Sequence, residues 1–144
     1  MALVLVVDDE EPIRRILSRW ISDAGHEIVD APTAEDALDR MAERAAAVAF
    51  CDVQMPGQGG VWLTKQIRTR YHNSAVVLAT GERAIPPATS MQAGVMAYIV
   101  KPFTRKAILD ALVTALEWHD KTVASGPRPE DGPERVQAWL DSLD

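Results

Sequence analysis

Apolar residues fall along this chain in two alternating kinds of run. Unbroken runs occupy residues 3–7, 47–51, 75–79 and 95–100, and Glu27-Ile28-Val29 reads as a short further strand. Between them the apolar positions recur every three or four residues: Ile13, Ile16, Leu17, Trp20 and Ile21; Ala37, Leu38 and Met41; Val61, Leu63 and Ile67; then a last long segment to roughly His119. Unbroken β-branched and leucine runs predict parallel strands covered on both faces, and the spaced ones predict amphipathic helices. Arg14, Arg15 and Arg19 take the face of the first helix opposite its apolar stripe.

The punctuation agrees with this reading. Pro12 suits a first helical turn and Gly25 a helix end. Thr33 with Asp36 has the spacing of an N-terminal cap before a helix over 34–44, and Thr104 caps the last helix. A third helix ends near Tyr71. Pro86-Pro87 forbids a helix through the middle of 82–93, so a loop to about Pro86 and a short helix after it are expected. Five strands alternating with helices predict an α/β fold, a doubly wound five-stranded parallel sheet with helices on both faces and right-handed crossovers.

Residues 1–120 are expected to form one domain. The stretch 121–133 reads as a linker, rich in proline and glycine from Ser125 onward. Beyond it Val136, Trp139, Leu140 and Leu143 give 134–144 the pattern of a short amphipathic helix, or of a linker cut before an output domain. The 144 residues suit one domain, and a net charge of -6 with no long basic run speaks against nucleic acid. The apolar run after Met1 is too short for a membrane span and lacks the basic lead of a signal peptide. Cys51, the one cysteine, lies in an apolar run as a small core residue, and a cytoplasmic location is expected. His26, His72 and His119 show no ligand spacing. Gly57, Gly59 and Gly60 read as a loop and helix entry rather than a nucleotide cradle.

Chemistry collects at the carboxyl ends of the strands, where open parallel sheets bind ligands. Strand one ends in Asp8 and Asp9, strand three in Asp52, strand four in Thr80 and strand five in Lys101. Asp52 alone would pass for a turn cap, Asp8-Asp9 for charge at a helix start, and Lys101 for a solvated surface lysine. Together they suit phosphoryl chemistry. Three carboxylates in one crevice repel unless a cation joins them, and a hard divalent ion such as Mg2+ suits oxygen ligands. Asp52 is then the nucleophile, Lys101 a compact positive charge for a phosphoryl oxygen, and Thr80 a hydroxyl donor.

These residues resemble the receiver domain of two-component response regulators over roughly residues 2–120. Asp8-Asp9, Asp52-Val53-Gln54-Met55-Pro56-Gly57 with Gly60, Thr80-Gly81 and Lys101-Pro102-Phe103 stand in the family's order and approximate spacing. The resemblance implies a flavodoxin-like strand order, 2-1-3-4-5, and phosphorylation of Asp52 by a histidine kinase or phosphotransfer protein. It implies Mg2+ held by Asp9, Asp52 and the main-chain carbonyl of Gln54, with Asp8 acting through water. Thr80 and Tyr98 are then the switch pair, and the Lys101–Pro102 bond is cis. Gln54 and Glu82 take the positions that tune phosphate lifetime. The chain departs from the family at Gly59, where an acid is common, and at Gly81, where alanine is.

Two other functions fit parts of the pattern. A Mg2+-dependent phosphohydrolase with an aspartyl-phosphate intermediate has a second acid two residues after its nucleophile, but here that residue is Gln54. A degenerate receiver serving only as a binding module would not need all five site residues. Leu109, Val113, Leu116 and Trp118 give the last helix apolar residues on more than one face. Self-association through the fourth-helix, fifth-strand and fifth-helix face is therefore expected.

Overall fold

The computed structural model describes residues 1–80 and 95–125, and of Thr80, Tyr98 and Ser125 it describes the main chain. Gly81, Glu82, the Pro86-Pro87 loop with its short helix, and the stretch 126–144 lie outside the described residues. The elements run β1 (Leu3–Val7), α1 (Glu11–Asp23), β2 (Glu27–Ala31), α2 (Ala34–Glu43), β3 (Val48–Asp52), α3 (Gly60–Arg70), β4 (Ala75–Thr80), β5 (Val95–Val100) and α4 (Arg105–Ser125). All four strand pairs are parallel, in the order β2-β1-β3-β4-β5. The chain adds β2 on one side of β1 and then crosses back to add β3 on the other. The carboxyl ends of β1 and β3 therefore flank the crevice where strand order reverses.

Both faces of the sheet are covered. Leu3, Leu5 and Val7 pack with Ala37 and Met41 of α2 and with Leu63 and Ile67 of α3. Val4, Val6 and Phe50 face the other way, against Leu17 and Ile21 of α1 and Ile108 and Leu112 of α4. This is why β1 reads as an unbroken apolar run: every residue of it is buried. Truncating Phe50, 1% exposed at the centre, to alanine costs about 3–5 kcal/mol.

The caps form where the sequence places them. The Thr33 hydroxyl accepts from the Asp36 N–H at 3.1 Å, and Thr104 Oγ1 accepts from the Ala107 N–H at 3.1 Å. Gly25, just past α1, has φ 98°, a conformation that only glycine takes without strain.

Several details differ from the sequence pattern. β2 continues to Ala31, because Asp30 and Ala31 pair with Val6 and Val7. β3 lies one residue later than the apolar run suggests: Asp52 itself pairs with Ala79, so the acid closes the strand. Ile16 is 41% exposed, and the buried face of α1 centres on Leu17 and Ile21. α4 does not stop near His119. It runs to Ser125, five residues into the expected linker, since the first breaking pair, Gly126-Pro127, comes only afterwards.

The apolar surplus on α4 is also smaller than it looks in one dimension. Leu109, Leu116 and Trp118 pack partly against the sheet, leaving Val113 56% exposed. Arg68 of α3 lies over the Trp118 ring at 5.0 Å, and its Nη1 donates to the carbonyls of His72 (2.8 Å) and Ser74 (3.0 Å). That buried guanidinium ties α3, the turn into β4 and α4 together at the end of the sheet opposite the crevice.

Candidate functional site

β1 and β3 carry their acids to the same place. One carboxylate oxygen from each of Asp8, Asp9 and Asp52 lies within 4.8 Å of the other two, with Asp8 and Asp52 buried and Asp9 exposed. From β5, the Lys101 Nζ reaches into this group. It stands 2.9 Å from Asp8 Oδ2, 3.3 Å from Glu10 Oε2 and 3.4 Å from Asp52 Oδ2. The Lys101–Pro102 peptide bond is cis.

The acids are held by main-chain donors. The Glu10 N–H donates to Asp8 Oδ1 at 2.9 Å, and the Gln54 N–H donates to Asp52 Oδ1 at 3.2 Å. The loop after Asp52 folds back so tightly that α3 begins against the strand end. A Cβ on Gly60 would lie 2.3 Å from the Asp52 main-chain oxygen, and one on Gly59 2.7 Å from that of Val53. As this loop is folded, a side chain at position 59 would meet backbone.

The charge is unbalanced. Burial first, then the neighbouring Asp8 carboxylate, push the Asp52 carboxyl up to about 6, although Lys101 and the Gln54 N–H pull the other way. Burial pulls the Lys101 ammonium down, but its hydrogen bond to Asp8 and the charges of Asp52 and Asp8 outweigh that and raise it. Among the described residues one ammonium is set among four carboxylates, which leaves that group short of positive charge. Three converging carboxylates form a hard oxygen donor set of the kind Mg2+ takes, and they fit that ion. By contrast the Cys51 thiol, beside Asp52 in sequence, is buried and pushed up to about 12, which leaves it inert at neutral pH.

The profile of the response regulator receiver domain matches residues 4–113. The chain belongs to that family. Response regulator protein FleR of Pseudomonas aeruginosa is 41% identical over 110 residues, which are 76% of this chain and 23% of FleR. The chain therefore spans about a quarter of the length of that relative. Among solved structures, the receiver domain of NtrX from Brucella abortus matches at TM-score 0.74 and 32% identity, covering 79% of this chain and 98% of that one. The chemotaxis protein CheY4 of Vibrio cholerae matches at TM-score 0.73 and 30% identity, covering 81% and 99%.

In this receiver domain Asp8, Asp9, Asp52 and Lys101 come together from three strand ends. Thr80 closes β4 opposite Val100, and Tyr98 pairs with Leu78 two residues earlier. Of Gln54 the structure shows the main-chain N–H turned to Asp52. Two participants were not legible in the sequence. Glu10 shares Lys101, and Arg14 donates to the main-chain oxygen of Asp8 at 2.9 Å. Neither has a spacing signal, since both contacts depend on how the turn after β1 is folded. No helix among the described residues is long and apolar enough to cross a membrane.

Proposed function

We propose that this receiver domain accepts a phosphoryl group on Asp52 from a histidine kinase or phosphotransfer protein in the cytoplasm, and that this change controls a partner or output domain. The observation that carries the proposal is the meeting of Asp52, Asp8 and Asp9 within 4.8 Å beside Lys101. An Asp52 carboxylate oxygen forms the new bond to phosphorus as the bond from phosphorus to the donor's nitrogen breaks, and the donor leaves with that electron pair. With its pKa near 6, Asp52 is ionised and nucleophilic at pH 7.

Asp9, Asp52 and the Gln54 carbonyl, with Asp8 through water, are the residues we assign to Mg2+. When bound, that ion neutralises charge on the phosphoryl oxygens. Lys101 already spans Asp8 and Asp52, so a short movement of its flexible stem takes the ammonium to a phosphoryl oxygen on Asp52. Thr80 at the end of β4 and Tyr98 in β5 are proposed as the switch pair, and Gln54 and Glu82 as the residues that set phosphate lifetime. Self-association through β5, α4 and the helix expected after Pro86 is part of the same proposal, with Val113 and Val123 exposed on α4.

Incubation with Mg2+ and acetyl phosphate, followed by intact mass measurement, tests the reading. One phosphoryl group per chain, absent in Asp52→Asn and lost on Mg2+ removal, is the expected result. Sustained turnover of unrelated phosphate esters would instead establish a hydrolase. No adduct from either acetyl phosphate or a kinase would leave a binding module.

A further inference from the structure

Arg14 does not lie on the solvent face of α1 with Arg15. Its side chain is 15% exposed, against 79% for Arg15. Nη1 donates to the Asp8 main-chain oxygen at 2.9 Å and Nε to Asp30 Oδ2 at 3.0 Å. The rigid guanidinium fork therefore spans two neighbouring chain segments, the turn leaving β1 and the end of β2. The carbonyl it holds belongs to the peptide joining Asp8 to Asp9. A peptide unit is planar, so anchoring its oxygen sets the direction in which Asp9 leaves the turn. The Asp8 side of that peptide is anchored as well, by the Asp8 N–H to the Ala31 oxygen at 3.3 Å and by the Glu10 N–H to Asp8 Oδ1. The Asp9 carboxylate is different. Among the described residues no hydrogen bond or ion pair holds it, so its place in the acid cluster depends on the main chain beneath it.

We infer that Arg14 is a positioning residue for the metal site: by fixing the Asp8–Asp9 peptide it keeps the Asp9 carboxylate turned toward Asp8 and Asp52. This rests on the metal-site reading above. Arg14 touches neither phosphorus nor metal, and it acts through Asp9.

Mn2+, which accepts the same oxygen ligands as Mg2+, serves as the probe, with bound ion measured from the loss of the free-ion paramagnetic resonance signal. Measurements are made well below the melting temperature of every variant. Arg14→Gln is expected to weaken Mn2+ binding about tenfold or more, the usual effect of losing a group that orients a ligand. Asp30→Asn leaves the Asp8 carbonyl contact in place and removes only a half-exposed ion pair, so its affinity stays within about fivefold of wild type. Arg14→Lys keeps one point donor, which cannot span both partners, and should fall between the two; it also carries the test if Arg14→Gln does not fold.

The decisive comparison is made in an Asp9→Ala background. There the effect of Arg14→Gln should vanish, since the residue it positions no longer offers an oxygen ligand. An equal fold-loss in both backgrounds, or no loss in either, overturns the inference while leaving the metal site standing. Absence of Mn2+ and Mg2+ binding by wild type overturns the metal site and the inference with it.

Discussion

Replacing Asp52 by asparagine should make the metal-free domain more stable, although it removes a partner of Lys101. In the fold the Asp52 carboxyl titrates at about 6, against an ordinary 3.8. Across that interval the native state keeps a proton that the unfolded chain has released, so stability falls as pH rises from about 4 to about 6 and stays flat above. Roughly two pH units amount to about 3 kcal/mol, and solvent at the open side of the crevice reduces this to about 1–2 kcal/mol. Asparagine has no charge to bury, and its one carbonyl oxygen can still accept from the Gln54 N–H, although the Lys101 contact to the other oxygen is lost. Lys101 keeps Asp8 and Glu10 as counter-charges. The variant should therefore melt about 3–10 °C above wild type at pH 7 in EDTA. The gap should close by about pH 4, where both side chains are neutral. Thermal melts of the two proteins at pH 4, 5, 6 and 7 check this. A variant that melts below wild type at pH 7, or a gap that does not change with pH, would refute the charge imbalance.

Mg2+ at a hundred times its Kd should raise wild-type stability by about 2.7 kcal/mol, reversibly with EDTA, and should do much less for Asp9→Asn. Gly60→Ala puts a Cβ against the Asp52 main-chain oxygen, and its urea midpoint should reveal a loss of about 1–3 kcal/mol or more. Arg68→Ala removes two carbonyl contacts and the cover of Trp118, for an expected loss of about 2–4 kcal/mol with Mg2+ binding unchanged, because Arg68 lies at the other end of the sheet. Cys51 should be silent to a thiol reagent in the native protein at pH 7 and react at once in denaturant.

The parts of the fold set by burial were the parts legible in the sequence. β1 and β3 are buried along their length, as is β4 through Ala79, while edge strand β5 is partly buried, and their apolar runs mark all four to within a residue. The polar residues that end those runs, Asp8, Asp52 and Lys101, mark the crevice for the same reason. Where a side chain's surroundings depend on a neighbouring segment, periodicity carries no information. Arg14 has the helical phase of a solvated residue, yet Asp30 and the Asp8 carbonyl draw it inward. Trp118 looks surplus on α4 until Arg68 covers it. The end of α4 is not legible in composition, because residues 121–125 contain nothing that breaks a helix yet group by composition with the prolines beyond.

The lysine that serves the acids comes from far along the chain: 93 positions after Asp8 and 49 after Asp52. On a ribosome adding about 5–20 residues per second, Asp52 is made about 2–10 s before Lys101. Through that interval the nascent chain has its acids without their counter-ion. β5 is also the last strand in chain order among the described residues, and it stands at the edge of the sheet. On the proposed function, phosphoryl acceptance therefore waits until the final strand brings Lys101 to Asp8 and Asp52.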